Sequence, residues 1–327
     1  MIAIILIALA AGAASALMFA SIISGALISL VLFYLAPLPL MVAALGWGPL
    51  AATIGGIAAA IGLSAIFGLP YCIAFVIMVA LPAWWLGHLA LLGRPTANAV
   101  APADNTAPAA APALEWYPVG RILLWIAGFA VLTTMGTLLT LGTDAATITG
   151  MMQRGLLRIL DQGETASSAE IQQWVDALVK IAPAAAAIVA MMTLTLNLWL
   201  AGKITATSGR LHRPWPDLKT AALPPMTLAA MSAALGFCFA GGLIALAAQT
   251  LAAALTMAYA LVGFAVLHTL TLALKNRALW LGCTYAVVVV FGWPLLAMAA
   301  LGLADAVFGL RQRYLQSRPP PLPAAKT

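Results

Sequence analysis

The chain has 327 residues, of which 64% are hydrophobic and only 7% charged, with a mean hydropathy of +1.06. A soluble domain carries roughly 25% charged residues, so an exterior facing water is excluded for most of this chain. The net charge of +6 comes from 15 Lys+Arg against 9 Asp+Glu, and it reads as the basic loops that orient a membrane protein rather than as a nucleic-acid surface.

The first apolar region runs from Ile2 to Leu92 without a charged side chain. It starts at once with Met1-Ile2-Ala3-Ile4-Ile5, lacks a basic leader and is expected to be a retained first span. Pro37, Pro39, Gly46-Trp47-Gly48-Pro49 and Gly68-Leu69-Pro70 divide it into four segments: about 2–29, 30–45, 50–67 and 71–92. Together they form an expected N-terminal membrane half, residues 1–94.

Residues 95–117 are rich in Ala and Pro, have no periodicity and read as a flexible linker. The C-terminal membrane half is expected over 118–310. Its first span is 119–141, introduced by Trp116, Tyr117 and Arg121 at an interface.

Residues 144–181 are the most polar stretch and are expected to lie outside as two amphipathic helices. Ser167 and Glu170 have capping-box spacing, and Trp174, Leu178 and Ile181 lead at helical spacing into the span 182–201. The loop 203–223 carries Lys203, Arg210, Arg213 and Lys219 against Asp217, and is expected to be cytoplasmic. Apolar segments 226–247, 250–274 and 278–304 follow, with a basic, Pro-rich, disordered tail over 311–327. Three full crossings would strand that tail outside, so a break or re-entrant turn at Gly292-Trp293-Pro294 is expected. The fold class is thus an all-α polytopic bundle of about eight, or nine, spans in a bilayer, with both ends on the cytoplasmic side.

No catalytic motif, phosphate loop or metal-ligand spacing is present. The chain is therefore read as a non-enzyme with no cofactor and no metal, and any ATP-driven step needs a partner. Cys72, Cys238 and Cys283 read as buried small hydrophobes. Polar residues inside spans mark interhelical bonds or a ligand pocket. The candidate substrate-binding residues are Asn197 (beside Thr193, Thr195 and Trp199), Thr256, Tyr259, His268, Tyr285 and Trp293. His88, following Trp84-Trp85, belongs to an aromatic belt, and Asp305 is expected to pair with Arg311. Small residues recur every four positions at Ala8, Gly12, Ala16 and Ala20, and again at Ala52, Gly56, Ala60 and Ser64. Such faces let helices approach closely, either inside the bundle or against a docked partner.

Several stretches, namely 33–39 (Phe-Tyr-Leu-Ala-Pro-Leu-Pro), 46–49 (Gly-Trp-Gly-Pro), 81–87 (Leu-Pro-Ala-Trp-Trp-Leu-Gly), 213–217 (Arg-Pro-Trp-Pro-Asp) and 301–305 ahead of Arg311, resemble the YybS-like family of bacterial membrane proteins. That family is similar to the substrate-binding S components of energy-coupling-factor transporters. The resemblance implies an S-component-like bundle in the bacterial inner membrane that binds a small-molecule substrate. It also implies a membrane coupling subunit with an ATPase partner, docked on the faces of Ala8, Gly12 and Ala16 and of Ala52, Gly56 and Ala60. A membrane scaffold that carries no solute is the other reading.

Overall fold

The computed structural model describes residues 1–95, 114–160, 168–217, 219 and 221–316. The molecule is an all-α bundle. Among the described residues seven helices are long and apolar enough to cross a membrane, as fits a multi-spanning membrane protein.

The first half contributes four of these candidate spans. Helix α1 (Ile2–Ala20) continues through one 3₁₀ turn to Ser24, and the chain reverses at Gly25 with φ +68°. Helices α2 (Leu27–Leu35) and α3 (Pro37–Trp47) form one crossing, followed by α4 (Pro49–Phe67). Helices α5 (Leu69–Phe75) and α6 (Leu81–Leu91) form another, joined by a π turn over Val76–Ala80.

The expected boundary between segments 2–29 and 30–45 is therefore corrected. Helix α2 does stop at Leu35 and Pro37 opens α3, where a missing N–H costs nothing, but the two helices share one crossing, so the prolines do not divide spans. The break falls at Gly25, whose left-handed backbone only glycine adopts without strain.

The linker is also shorter than 95–117. Gly93–Pro95 (β1) pairs antiparallel with Leu114–Trp116 (β2), and Arg94 bonds Glu115 across the ladder at 2.7 Å. Its middle, 96–113, lies outside the described residues. The two halves do not fold apart, because one apolar core runs from Phe19 to Ala299 through both.

In the second half, α7 (Val119–Leu141) leads to α8 (Ala145–Leu160) and then to α9 (Ser168–Thr207). Ser167 of the expected capping box lies outside the described residues. Helix α9 has 40 residues, about 60 Å at 1.5 Å per residue, twice an apolar bilayer core. Its first turns project past the bundle, and α8 packs on them through buried Ile148, Val175 and Val179. Gln153 of α8 donates to Asp176 of α9 at 2.9 Å.

The late boundaries shift as well. Helix α10 (Met226–Phe237) is only 12 residues, and α11 (Gly242–Leu270) is 29. The turn sits at Gly241–Gly242, both with positive φ, rather than between 247 and 250. The segment expected over 278–304 is two helices, α12 (Arg277–Phe291) and α13 (Pro294–Phe308), broken at Gly292 with φ +70°. Helix α14 (Leu310–Gln316) follows at a 67° bend. The expected break at Gly292-Trp293-Pro294 is present. The tail does not begin at Arg311, which is buried in α14; 317–327 lie outside the described residues.

Contacts order the ends of the bundle. Arg210 of the basic loop lies over Trp47 at the end of α3 (5.3 Å), and Arg213 over Trp116 just ahead of α7 (5.9 Å). Phe19, near the end of α1, meets Tyr71 at the start of α5, at the opposite end (5.2 Å). Arg311 donates to the backbone oxygens of Lys219 and Ala221 at 2.5 and 3.0 Å. The hairpin α12–α13 therefore leaves and returns to the basic-loop end, where both the start of α1 and α14 also lie.

Candidate functional site

The polar residues inside the spans divide into latches and cavity wall. Asn197 is fully buried on α9 and donates from Nδ2 to the oxygens of Tyr34 and Thr193, each at 2.8 Å. Tyr34 lies at the α2–α3 junction, where Ala36 takes a 3₁₀ bond to Phe33. In hydrocarbon every backbone acceptor needs a partner from within the protein, and Asn197 supplies one. Its Nδ2 makes it a helix latch, while its buried Oδ1 has no hydrogen-bond partner among the described residues.

Tyr259 is likewise fully buried and shares a 2.7 Å hydroxyl bond with Thr227 of α10. Thr256 donates to Ala252 on its own helix at 2.7 Å. Trp293, 68% exposed, sits at the tip of the α12–α13 hairpin. None of these four lines the main cavity, so the six candidate residues do not form one site.

His268 and Tyr285 do come together. His268 Nε2 and the Tyr285 hydroxyl are 2.9 Å apart, and the Tyr285 ring stacks on Phe264 with centroids 5.1 Å apart at 12°. Both line a cavity of about 580 Å³ at the basic-loop end, within the size range of ligand sites. Its walls come from α7 (Val119, Ile122, Leu123, Ile126), α9 (Thr195, Leu198, Trp199, Gly202) and α11 (Leu261, Phe264, Ala265). Its roof is the basic loop, through Leu211, Arg213, Trp215, Pro216, Asp217, Lys219 and Ala221.

The loop can serve as a roof because its cations are pinned. Arg213 donates to Ala90 and Tyr117 oxygens at 3.1 and 3.0 Å. Burial pushes its pKa below the ordinary guanidinium value. Lys203 Nζ rests 4.3 Å over Trp215, a contact in which a cation meets the ring's negative face. The buried pair Asp305–Arg311, joined at 2.7 and 2.9 Å, holds the end of the loop from below. This is the pairing expected for Asp305. The roof residues were missed in the sequence because a basic loop between spans reads only as an orientation signal.

The small-residue faces are corrected. Ala8 and Gly12 of α1 are buried against α4, where a Cβ on Gly12 would run into the carbonyl oxygen of Gly55. Ala52, Gly56 and Ala60 are buried too, and a Cβ on Gly56 would meet Ala80 at 3.4 Å. Ala16 packs partly buried against the core. These faces cannot dock a partner, because the bundle occupies them. A second close approach was not anticipated: Gly263 of α11 and Gly302 of α13 each lie against the other helix's backbone.

Of the cysteines, Cys72 and Cys238 are half-buried and Cys283 is exposed on α12, which corrects the expectation of three buried thiols. His88 stacks on Trp84 with centroids 6.3 Å apart at 11°, in a cluster with Trp85 and Trp125. Among the described residues no three His, Cys, Asp or Glu side chains gather as metal ligands.

In the comparisons with known proteins, no family model, no curated protein and no solved structure matches the chain.

Proposed function

We propose that the protein is a multi-spanning bacterial inner-membrane protein that binds a small solute in the cavity between α7, α9 and α11, as the binding component of a transport system energised by a separate partner. The observation that carries the reading is the cavity itself: about 580 Å³ of mostly apolar wall under a roof bearing Arg213 and Lys219. A bundle serving only as a scaffold gains nothing from leaving such a half-open cleft unpacked between its helices. With the basic loop taken as cytoplasmic, the cavity lies at the cytoplasmic end, unlike the outward-facing site that the S-component likeness implies. A coupling partner would use a surface other than the face of Ala8 and Gly12.

The test is mass spectrometry of small molecules that copurify with the protein in mild detergent, beside the variant Ala265→Trp, which fills the cavity. Wild type is expected to carry a compound that Ala265→Trp lacks. Asn197→Ala is expected to lower stability, by about 1–3 kcal/mol for the bared Tyr34 carbonyl, yet to keep the compound. The same small molecules on wild type and Ala265→Trp would favour the scaffold reading.

A further inference from the structure

On the helix side of the cavity His268 and Tyr285 form a relay that Arg277, outside the lining, backs. Arg277 Nη2 lies 3.2 Å from the backbone oxygen of His268 and 3.4 Å from its Nδ1. A guanidinium has donors only, so Nδ1 accepts. An imidazolium would set an N–H against that N–H; the neutral ring, with its proton on Nε2, is the form the geometry accommodates. Nε2–H then donates to the Tyr285 oxygen at 2.9 Å. The hydroxyl hydrogen of Tyr285 is left to donate elsewhere, and the stacked Phe264 fixes the ring that carries it.

Lys219 also lines the cavity; its ammonium is donor-only and forms no ion pair among the described residues, while the Asp217 carboxylate beside it accepts from the Lys219 amide at 3.0 Å. The helix walls between the two donors are largely apolar, with Ile122, Ile126, Leu198 and Leu261. Helix α12 has no buried residue, so Tyr285 is reached from its flank. The charge and the donors ask for an acceptor; the walls ask for hydrocarbon.

Building on the solute-binding reading above, we infer that the cavity takes an amphiphile with an anionic oxygen head, a phosphate or a carboxylate. The head accepts from the Tyr285 hydroxyl and faces Lys219, and the alkyl chain lies between α7, α9 and α11.

Equilibrium binding of radiolabelled dodecyl phosphate, dodecanoate, dodecanol and inorganic phosphate tests this, using the full chain in zwitterionic nanodiscs. Ala265→Trp supplies the background of partition into lipid. Dodecyl phosphate or dodecanoate is expected to bind saturably, at least tenfold tighter than dodecanol or inorganic phosphate. Tyr285→Phe, which keeps the ring, is expected to weaken that binding about tenfold, the loss of one hydrogen bond to a charged group. Lys219→Gln on the rim is expected to weaken it as well, and it decides the matter if Tyr285→Phe does not fold. Equal binding of dodecanol, or unchanged binding by both variants, would overturn the anionic head and leave solute binding intact. Absence of saturable binding by every probe would also overturn it. Only the further loss of any Ala265-dependent copurifying compound would overturn the solute reading with it.

Discussion

Gly12 of α1 and Gly55 of α4 meet backbone to backbone, leaving no room for a side chain on either. In lipid, helix association depends on packing rather than on expulsion of water, so this crossing holds the first helix to the bundle. Gly12→Leu is expected to destabilise the isolated protein by about 1–3 kcal/mol or more, read as a lower Tm in detergent. Gly12→Ala should already be felt, because the Cβ itself meets backbone. Gly56 faces Ala80 at 3.4 Å, ordinary contact distance, so Gly56→Ala should be close to neutral. An unchanged Tm for Gly12→Leu would show that α1 is not held at this crossing.

Asp305 and Arg311 form a buried pair whose guanidinium also satisfies two loop carbonyls. Removing one partner of such a pair leaves an uncompensated charge, at a cost of about 3–5 kcal/mol. Asp305→Leu and Arg311→Met are each expected to lose about that much in denaturant unfolding. The double variant should lose less than the sum, since the two residues act as a unit. Additive losses would contradict a direct coupling.

How much of this was legible follows from the kind of signal each feature leaves. Long apolar runs mark the early candidate spans by length, and Gly292-Trp293-Pro294 marks the hairpin tip because glycine and proline disfavour a continuous helix there. Gly25 and Gly241 were not singled out, since 27 glycines are spread through the chain and a positive φ has no sequence mark. The crossing continues past Pro37 because the carbonyl that the proline bares, that of Phe33, accepts from the Ala36 amide in a tightened turn, and Asn197 adds a bond to the neighbouring Tyr34 carbonyl. Small-residue spacing revealed a close approach at Gly12 but not what it approaches. The cavity roof was illegible because an aperiodic loop folded back over the bundle leaves only its charges in the pattern.

The tie between Arg311 and the Lys219 and Ala221 backbone fixes which ends share a side. In a variant with Cys72, Cys238 and Cys283 replaced by Ala, Ser208→Cys and Gln316→Cys are expected to resist a membrane-impermeant thiol reagent in intact cells. Thr143→Cys, in the α7–α8 turn, is expected to react. Opposite labelling of Ser208→Cys and Gln316→Cys would mean that α12–α13 crosses completely.

Asp144 accepts from the Thr147 amide at 2.9 Å and from its hydroxyl at 2.6 Å, capping α8. The Thr147 hydroxyl, then its amide, pull the carboxyl below its ordinary value of 3.8. A lowered folded pKa means that the cap contributes fully above the unfolded value and is lost as pH falls through the folded one. The Thr147 amide resonance is expected to titrate with a midpoint below 3.8 and to be insensitive to pH in Asp144→Asn. A midpoint at or above 3.8 would show that the cap does not form.

The central claim, that the void under the basic loop is a binding site, is tested most directly by an experimental structure of the protein purified from its native membrane into nanodiscs. Non-protein density is predicted between Trp199, Ala265 and Tyr285, with its head toward Lys219. A bundle in which α12 closes on α11 and the walls of α7 and α9 meet without a void would contradict it.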